Sequence, residues 1–172
     1  LHAEDSINLL LLVAYTGLRK GELARLRWRD VDFEGRVLNL PGRLKDNGEG
    51  EPDIDLGPVA LSALVRIRKA GQTRELRTNK NGAPCTVKVA RGEDALRQAD
   101  FVACFTTPEE SFERACKRLG FEDQSLHKLR HFYGSELSDA GAPQEVIADL
   151  FFFNDTATTE IYTHARRGVA AK

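Results

Sequence analysis

The chain has too few cysteines, in the wrong pattern, for a disulfide-stapled or zinc-bound protein. Cys85, Cys104 and Cys116 are odd in number and show no CxxC spacing, which fits a reducing compartment better. A long apolar run is also missing. LLLLVA at residues 9–14 is too short to span a bilayer, and it lacks the basic leader and cleavage pattern of a signal peptide. Positive charge is not in excess. The 25 Lys+Arg face 26 Asp+Glu, a net charge of -1, which counts against a wholly basic nucleic-acid-binding domain while leaving room for a local basic surface. No P-loop, metal-binding carboxylate cluster, internal repeat or domain linker stands out. The sequence starts at Leu1 rather than Met and reads as a fragment of a longer protein.

What is present suits one domain with a sizeable core: 172 residues, 41% hydrophobic and 30% charged. Residues 4–16 read as a buried helix, capped by Asp5 or Ser6, with Ile7, Leu10, Leu11 and Ala14 recurring at helical spacing and Gly17 at the C-terminal cap. A second helix spans about 20–28, with Leu23, Leu26 and Trp28 inward. Gly35 turns the chain into a strand holding Val37, Leu38 and Leu40. Asn47-Gly48 marks a hairpin whose return strand is Ile54 to Leu56. Pro58 opens a helix over about 58–69. Residues 71–100 read as a variable surface insertion with a short strand at Thr86 to Val89. Further helices are expected from Pro108 to Leu119, around His127 to about Asp139, from Pro143 to Leu150, and around Tyr162. The expected fold class is α+β, mainly helical, with one small antiparallel sheet.

The segment SLHKLRHFYGSEL at 125–137 places His127 and Arg130 three residues apart. That spacing puts them on one face of a helix. A guanidinium fork beside an imidazole suits a phosphodiester, the fork gripping non-bridging oxygens while the imidazole moves a proton. The same pair also occurs by chance in many helices. Arg19, in TGLRKGEL, sits at a tight junction between two helices. It reads as a surface arginine or as a phosphate ligand aimed by the Gly17 turn, with Glu22 as a buttress or as a first-turn glutamate suiting the helix dipole. Lys45 reads as a solvated hairpin lysine or as a finger delivering a proton to a leaving oxygen. His131 should point to another face and serve packing. Tyr162 reads as a half-buried packing residue, or as a nucleophile that needs arginines and a proton acceptor to help it, since its pKa is ordinarily about 10.

Taken together, TGLRKGELARLRWRDVDFE, LKDNGEG, HKLRHFYGSEL and ATTEIYTH resemble the catalytic domain of the tyrosine recombinases, the phage-integrase family. The boxes stand in the family's order and cover nearly the whole chain outside 71–100. The resemblance implies a tyrosine-recombinase catalytic-domain-like fold over residues 1–172, without the family's N-terminal core-binding domain. It implies Arg19 as the first arginine, Lys45 as the hairpin lysine, His127 and Arg130 as the second box, and Tyr162 as the nucleophile. The implied activity is cutting and rejoining DNA through a 3′-phosphotyrosine link, with neither metal nor cofactor. The implied partner is double-stranded DNA held by a homotetramer, and the implied setting is cytoplasmic, with a bacterial or phage origin. Rival readings are a type IB topoisomerase-like enzyme, a decayed recombinase that only binds DNA, and a helical domain with no DNA role.

One position departs from the pattern. Nine residues before Tyr162, where the family has histidine or tryptophan, stands Phe153, within Phe151-Phe152-Phe153. Phenylalanine cannot donate a hydrogen bond to a phosphate. The adjoining NDTATTEIYT is also what a common sequencing-library adapter encodes (AAT GAT ACG GCG ACC ACC GAG ATC TAC AC), and a poly-T run encodes phenylalanine. Residues 151–157 therefore read as an assembly artefact, with a weakened recombinase as the alternative.

Overall fold

The computed structural model of the chain describes residues 2–40, 53–104, 108–143 and 146–147. Its first helix, α1 (His2–Ala14), starts earlier than the expected caps, so Asp5 and Ser6 lie inside it and are buried. The buried face is also rotated from the expected one. Leu9, Leu12 and Val13 point inward, while Ile7 is exposed. A run of four leucines carries no helical phase, so only tertiary packing could select the face.

After Gly17 the chain enters α2 (Lys20–Arg25), which stops short of Trp28. The stop has a cause in the backbone. Residues 26–28 turn to pair with 100–102: Val102 N–H donates to Leu26 O at 3.0 Å, and Trp28 N–H to Asp100 O at 3.1 Å. Trp28 then sits in a single turn of 3-10 helix, Trp28–Asp30. Leu23, Leu26 and Trp28 are all buried, as their spacing predicted.

Strands β1 (Val31–Asp32), β2 (Val37–Leu38) and β3 (Ile54–Asp55) form an antiparallel sheet in that order, with Val31 opposite Leu38 and Leu38 opposite Ile54. The β1–β2 turn is made by Asp32, whose Oδ1 accepts the main-chain N–H groups of Glu34 (3.0 Å) and Gly35 (2.8 Å). Arg36, not Gly35, takes the left-handed conformation there, with φ 55°. Helix α3 (Pro58–Ala70) has proline in its first turn and a left-handed Gly71 after it, and it buries Ala60, Ala63, Leu64 and Ile67. Helices α1 and α3, the sheet, and Val102 and Ala103 share one core. Each leucine fully buried there contributes about 1.5–3 kcal/mol of transfer free energy.

Residues 71–100 are more structured than expected. Strands β4 (Gln72–Thr78) and β5 (Pro84–Ala90) pair over seven positions. The base of this hairpin belongs to the body of the domain. Thr73 is buried and its hydroxyl donates to Phe101 O at 2.9 Å. Buried Arg74 donates to Ala24 O and lies 4.3 Å from the Phe101 ring centroid, and Lys88 Nζ meets Asp5 Oδ2 at 3.0 Å. Outward from there Leu76 to Ala83 are exposed. Helix α4 (Glu109–Arg118) buries no residue, and α5 (Leu126–Asp139) buries Leu126, Arg130, Gly134 and Ser138, a stripe of period four. Residues 146 and 147 are helical. The expected Asn47-Gly48 turn, most of the 143–150 helix, segment 151–157 and the Tyr162 helix lie outside the described residues. Among the described residues no helix is long and apolar enough to cross a membrane.

Candidate active site

Of the five candidate residues, Arg19, His127 and Arg130 are described. Lys45 and Tyr162 lie outside the described residues, as does Phe153. The first arginine owes its position to the way α1 ends. Thr16 Oγ1 donates back to Leu12 O at 2.5 Å, and Gly17 N–H donates to Val13 O at 2.9 Å. Gly17 then turns left-handed, with φ 64°, and Leu18 drops into the core. Arg19 follows as the residue capping α2, in extended conformation.

Glu22 holds Arg19 twice. Its Oε2 accepts the Arg19 main-chain N–H at 2.6 Å, and its Oε1 accepts Nη1 of the guanidinium at 3.0 Å. Glu22 is buried while the Arg19 side chain is 40% exposed. The buttress expected as one of two roles for Glu22 is therefore realised. The main-chain bond also satisfies an N–H that every helix start leaves open.

Arg130 arrives from the other side. It lies on the inward stripe of α5 and is buried, and its Nη1 donates to the carbonyl of Gly17. Burying a guanidinium is costly unless its N–H groups are bonded. Tyr15 and Phe132 pack edge to face nearby, with centroids 6.1 Å apart, a further link between the end of α1 and α5. The two arginines, 111 positions apart in sequence, thus meet at the three-residue segment Gly17–Arg19.

His127 does not share Arg130's burial. It is exposed, one turn before Arg130, at the edge of the stripe. Its ring packs perpendicular to His131, with centroids 4.5 Å apart. The expectation that His131 points elsewhere is corrected: four residues along a helix is one face, and that spacing was readable from the sequence. His131 is held below the usual histidine value, first by burial and then by the charges of His127 and Arg130. Sequence reasoning also missed a small buried cluster away from this site. Asp5 Oδ2 accepts from Lys88 (3.0 Å) and from the Cys104 thiol (3.7 Å). Burial, with Asp5 beside it, pushes that thiol up to about 11. All three cysteines are free. Among the described residues no His/Cys/Asp/Glu group is arranged to hold a metal.

The phage integrase family model matches residues 2–168. The chain belongs to the phage integrase family. This phage integrase chain is 31% identical over 160 residues to the tyrosine recombinase XerC of Corynebacterium efficiens, a match covering 93% of this chain and 46% of the relative. It is 30% identical over 157 residues to XerC of Xanthomonas axonopodis pv. citri, covering 90% and 45%. Among solved structures, it shares its fold with the Tn1549 transposon integrase in complex with circular intermediate DNA (TM-score 0.60, 19% identity, 92% of this chain and 53% of that one). It also shares it with XerA recombinase (TM-score 0.57, 22% identity, 94% and 52%). The α+β, mainly helical reading and the family resemblance are both borne out. The chain spans less than half the length of the curated relatives it matches.

Proposed function

We propose that this chain is the strand-cutting part of a site-specific DNA recombinase or integrase. The observation that carries the reading is the shared turn: Arg130 is bonded to Gly17, two residues from an Arg19 braced by Glu22. Two guanidiniums fixed around one short segment suit the two non-bridging oxygens of a phosphodiester, where charge builds in the transition state. In this proposal the Tyr162 hydroxyl attacks phosphorus and the P–O5′ bond breaks. The product is a 3′-phosphotyrosine link and a free 5′-hydroxyl. Lys45 gives the proton to the leaving oxygen and His127 assists the tyrosine's proton transfer. The ester keeps the phosphodiester's energy, so another strand's 5′-hydroxyl can rejoin it without metal or ATP. Double-stranded DNA as partner is supported by the DNA-bound state of the similar Tn1549 integrase. Joining two duplexes calls for a homotetramer on paired sites.

The test is a suicide duplex nicked near the cleavage site, with covalent adducts resolved under denaturing conditions. Adducts that vanish in Tyr162→Phe and fall on the order of a hundredfold or more in Arg19→Ala or Arg130→Ala support the proposal. Phe153 favours a second reading, a relic that only binds DNA; salt-dependent binding with no adduct would select it. Resequencing codons 150–163 of the source DNA separates the two origins of that phenylalanine. A native Gly-His at 152–153 supports the artefact, and a true Phe-Phe sinks it.

A further inference from the structure

We infer that Gly17 is a positioning residue for Arg130: its left-handed turn swings its own carbonyl out of α1 and onto the guanidinium that would grip the phosphate. The inference rests on the recombinase reading. Arg130 is 4% exposed, so the groups it bonds inside the domain decide where its fork points. A guanidinium is a rigid plane of donors. Fixing one Nη therefore fixes the direction of the rest.

The carbonyl reaches Arg130 from a left-handed turn. Gly17 N–H still completes α1 by bonding Val13 O at 2.9 Å, but with φ at 64° the following peptide leaves the helix. A right-handed residue would aim that carbonyl along the α1 axis instead. Leu18 is buried and Arg19 is clamped by Glu22 on the far side, so the turn has little room to relax. Glycine adopts this conformation without steric cost, asparagine tolerates it, and alanine and valine resist it.

The experiment measures single-turnover adduct formation at saturating suicide DNA for Gly17→Asn, Gly17→Ala and Gly17→Val, alone and with Arg130→Lys. Small misplacements at a reacting centre cost up to about a hundredfold. At saturating DNA, Gly17→Ala should slow cleavage on the order of tenfold or more, Gly17→Val further, and Gly17→Asn least. In the Arg130→Lys background the Gly17→Ala effect should largely disappear. Equal slowing in both backgrounds would mean a merely structural glycine and would overturn the inference, as would a Gly17→Ala rate equal to wild type. The Arg130 side-chain N–H resonance gives a readout independent of cleavage. It should shift or broaden in Gly17→Ala and stay in place in Gly17→Asn; an unchanged resonance in Gly17→Ala refutes the link. If the parent chain forms no Tyr162-dependent adduct, the recombinase reading fails while the resonance still decides the Gly17–Arg130 link.

Discussion

Replacing Glu22 with alanine should separate two bonds that look like one. The carboxylate accepts the Arg19 main-chain N–H at 2.6 Å and the Arg19 guanidinium at 3.0 Å. The first is a charge-assisted bond at a partly buried helix start, with a net contribution of about 1.5–3 kcal/mol. The second joins a buried carboxylate to a guanidinium whose side chain is 40% exposed, so solvent screening reduces it to about 0.2–1 kcal/mol. Glu22→Ala should therefore cost about 3 kcal/mol, lowering the melting temperature by roughly 6–12 °C for a domain of this size. Most of that loss should survive in an Arg19→Ala background, because the main-chain donor is still there. A double-mutant cycle followed by thermal melting measures the difference, with an expected coupling of no more than about 1 kcal/mol. Glu22→Gln, which keeps one acceptor oxygen but turns an NH2 donor toward Arg19, should fall between. If the whole cost of Glu22→Ala disappears once Arg19 is alanine, the exposed ion pair supplies most of the stabilisation and the reasoning is wrong.

Three further outcomes follow from the same structure. Leu12→Ala, at a fully buried position where α1 meets the core, should cost about 3–5 kcal/mol and lower the melting temperature by roughly 10 °C; a loss under about 1 kcal/mol would show that the packing is wrong. At pH 8 a thiol reagent should quickly titrate Cys85 and Cys116 but leave Cys104 unreacted until the chain unfolds, because its thiol, pushed up to about 11, stays protonated and buried; three equally fast thiols would contradict this. His131 is held below its ordinary value of about 6.5, so as pH falls through that value the unfolded chain takes up the proton first. Wild-type stability should then drop between about pH 7 and 5, and less so in His131→Gln; parallel curves for the two proteins would exclude the contribution.

Local signals in the sequence were reliable where a residue's preference and its environment agreed. Pro58 opens α3, Leu23, Leu26 and Trp28 are all buried, and the boxes that suggested the family are matched by the phage integrase family model. Failures had physical causes. LLLLVA is apolar on every side, so the buried face of α1 depends on partners distant in sequence. Strand β4 hides Thr73 and Arg74, residues whose burial depends on bonds to Phe101 and Ala24, and no alternation of apolar residues announces it. Asp5 resembled a helix cap until Lys88 and Cys104, 83 and 99 residues downstream, came to it. His127 and His131 lie four residues apart on one face of α5, which is why their rings meet.

The bond from Arg130 to Gly17 closes a loop of 113 residues, and that has a consequence in time. A ribosome adds about 5–20 residues per second. The turn that carries Arg19 is therefore made roughly 6–23 s before the arginine that joins it. During that interval the carbonyl of Gly17 has no guanidinium, and α1 lacks Lys88 and Cys104 for much of it. The link from α5 back to the end of α1 therefore cannot close until α5 has emerged, so Arg130 reaches its place only after α1, the sheet and the β4–β5 hairpin have been made.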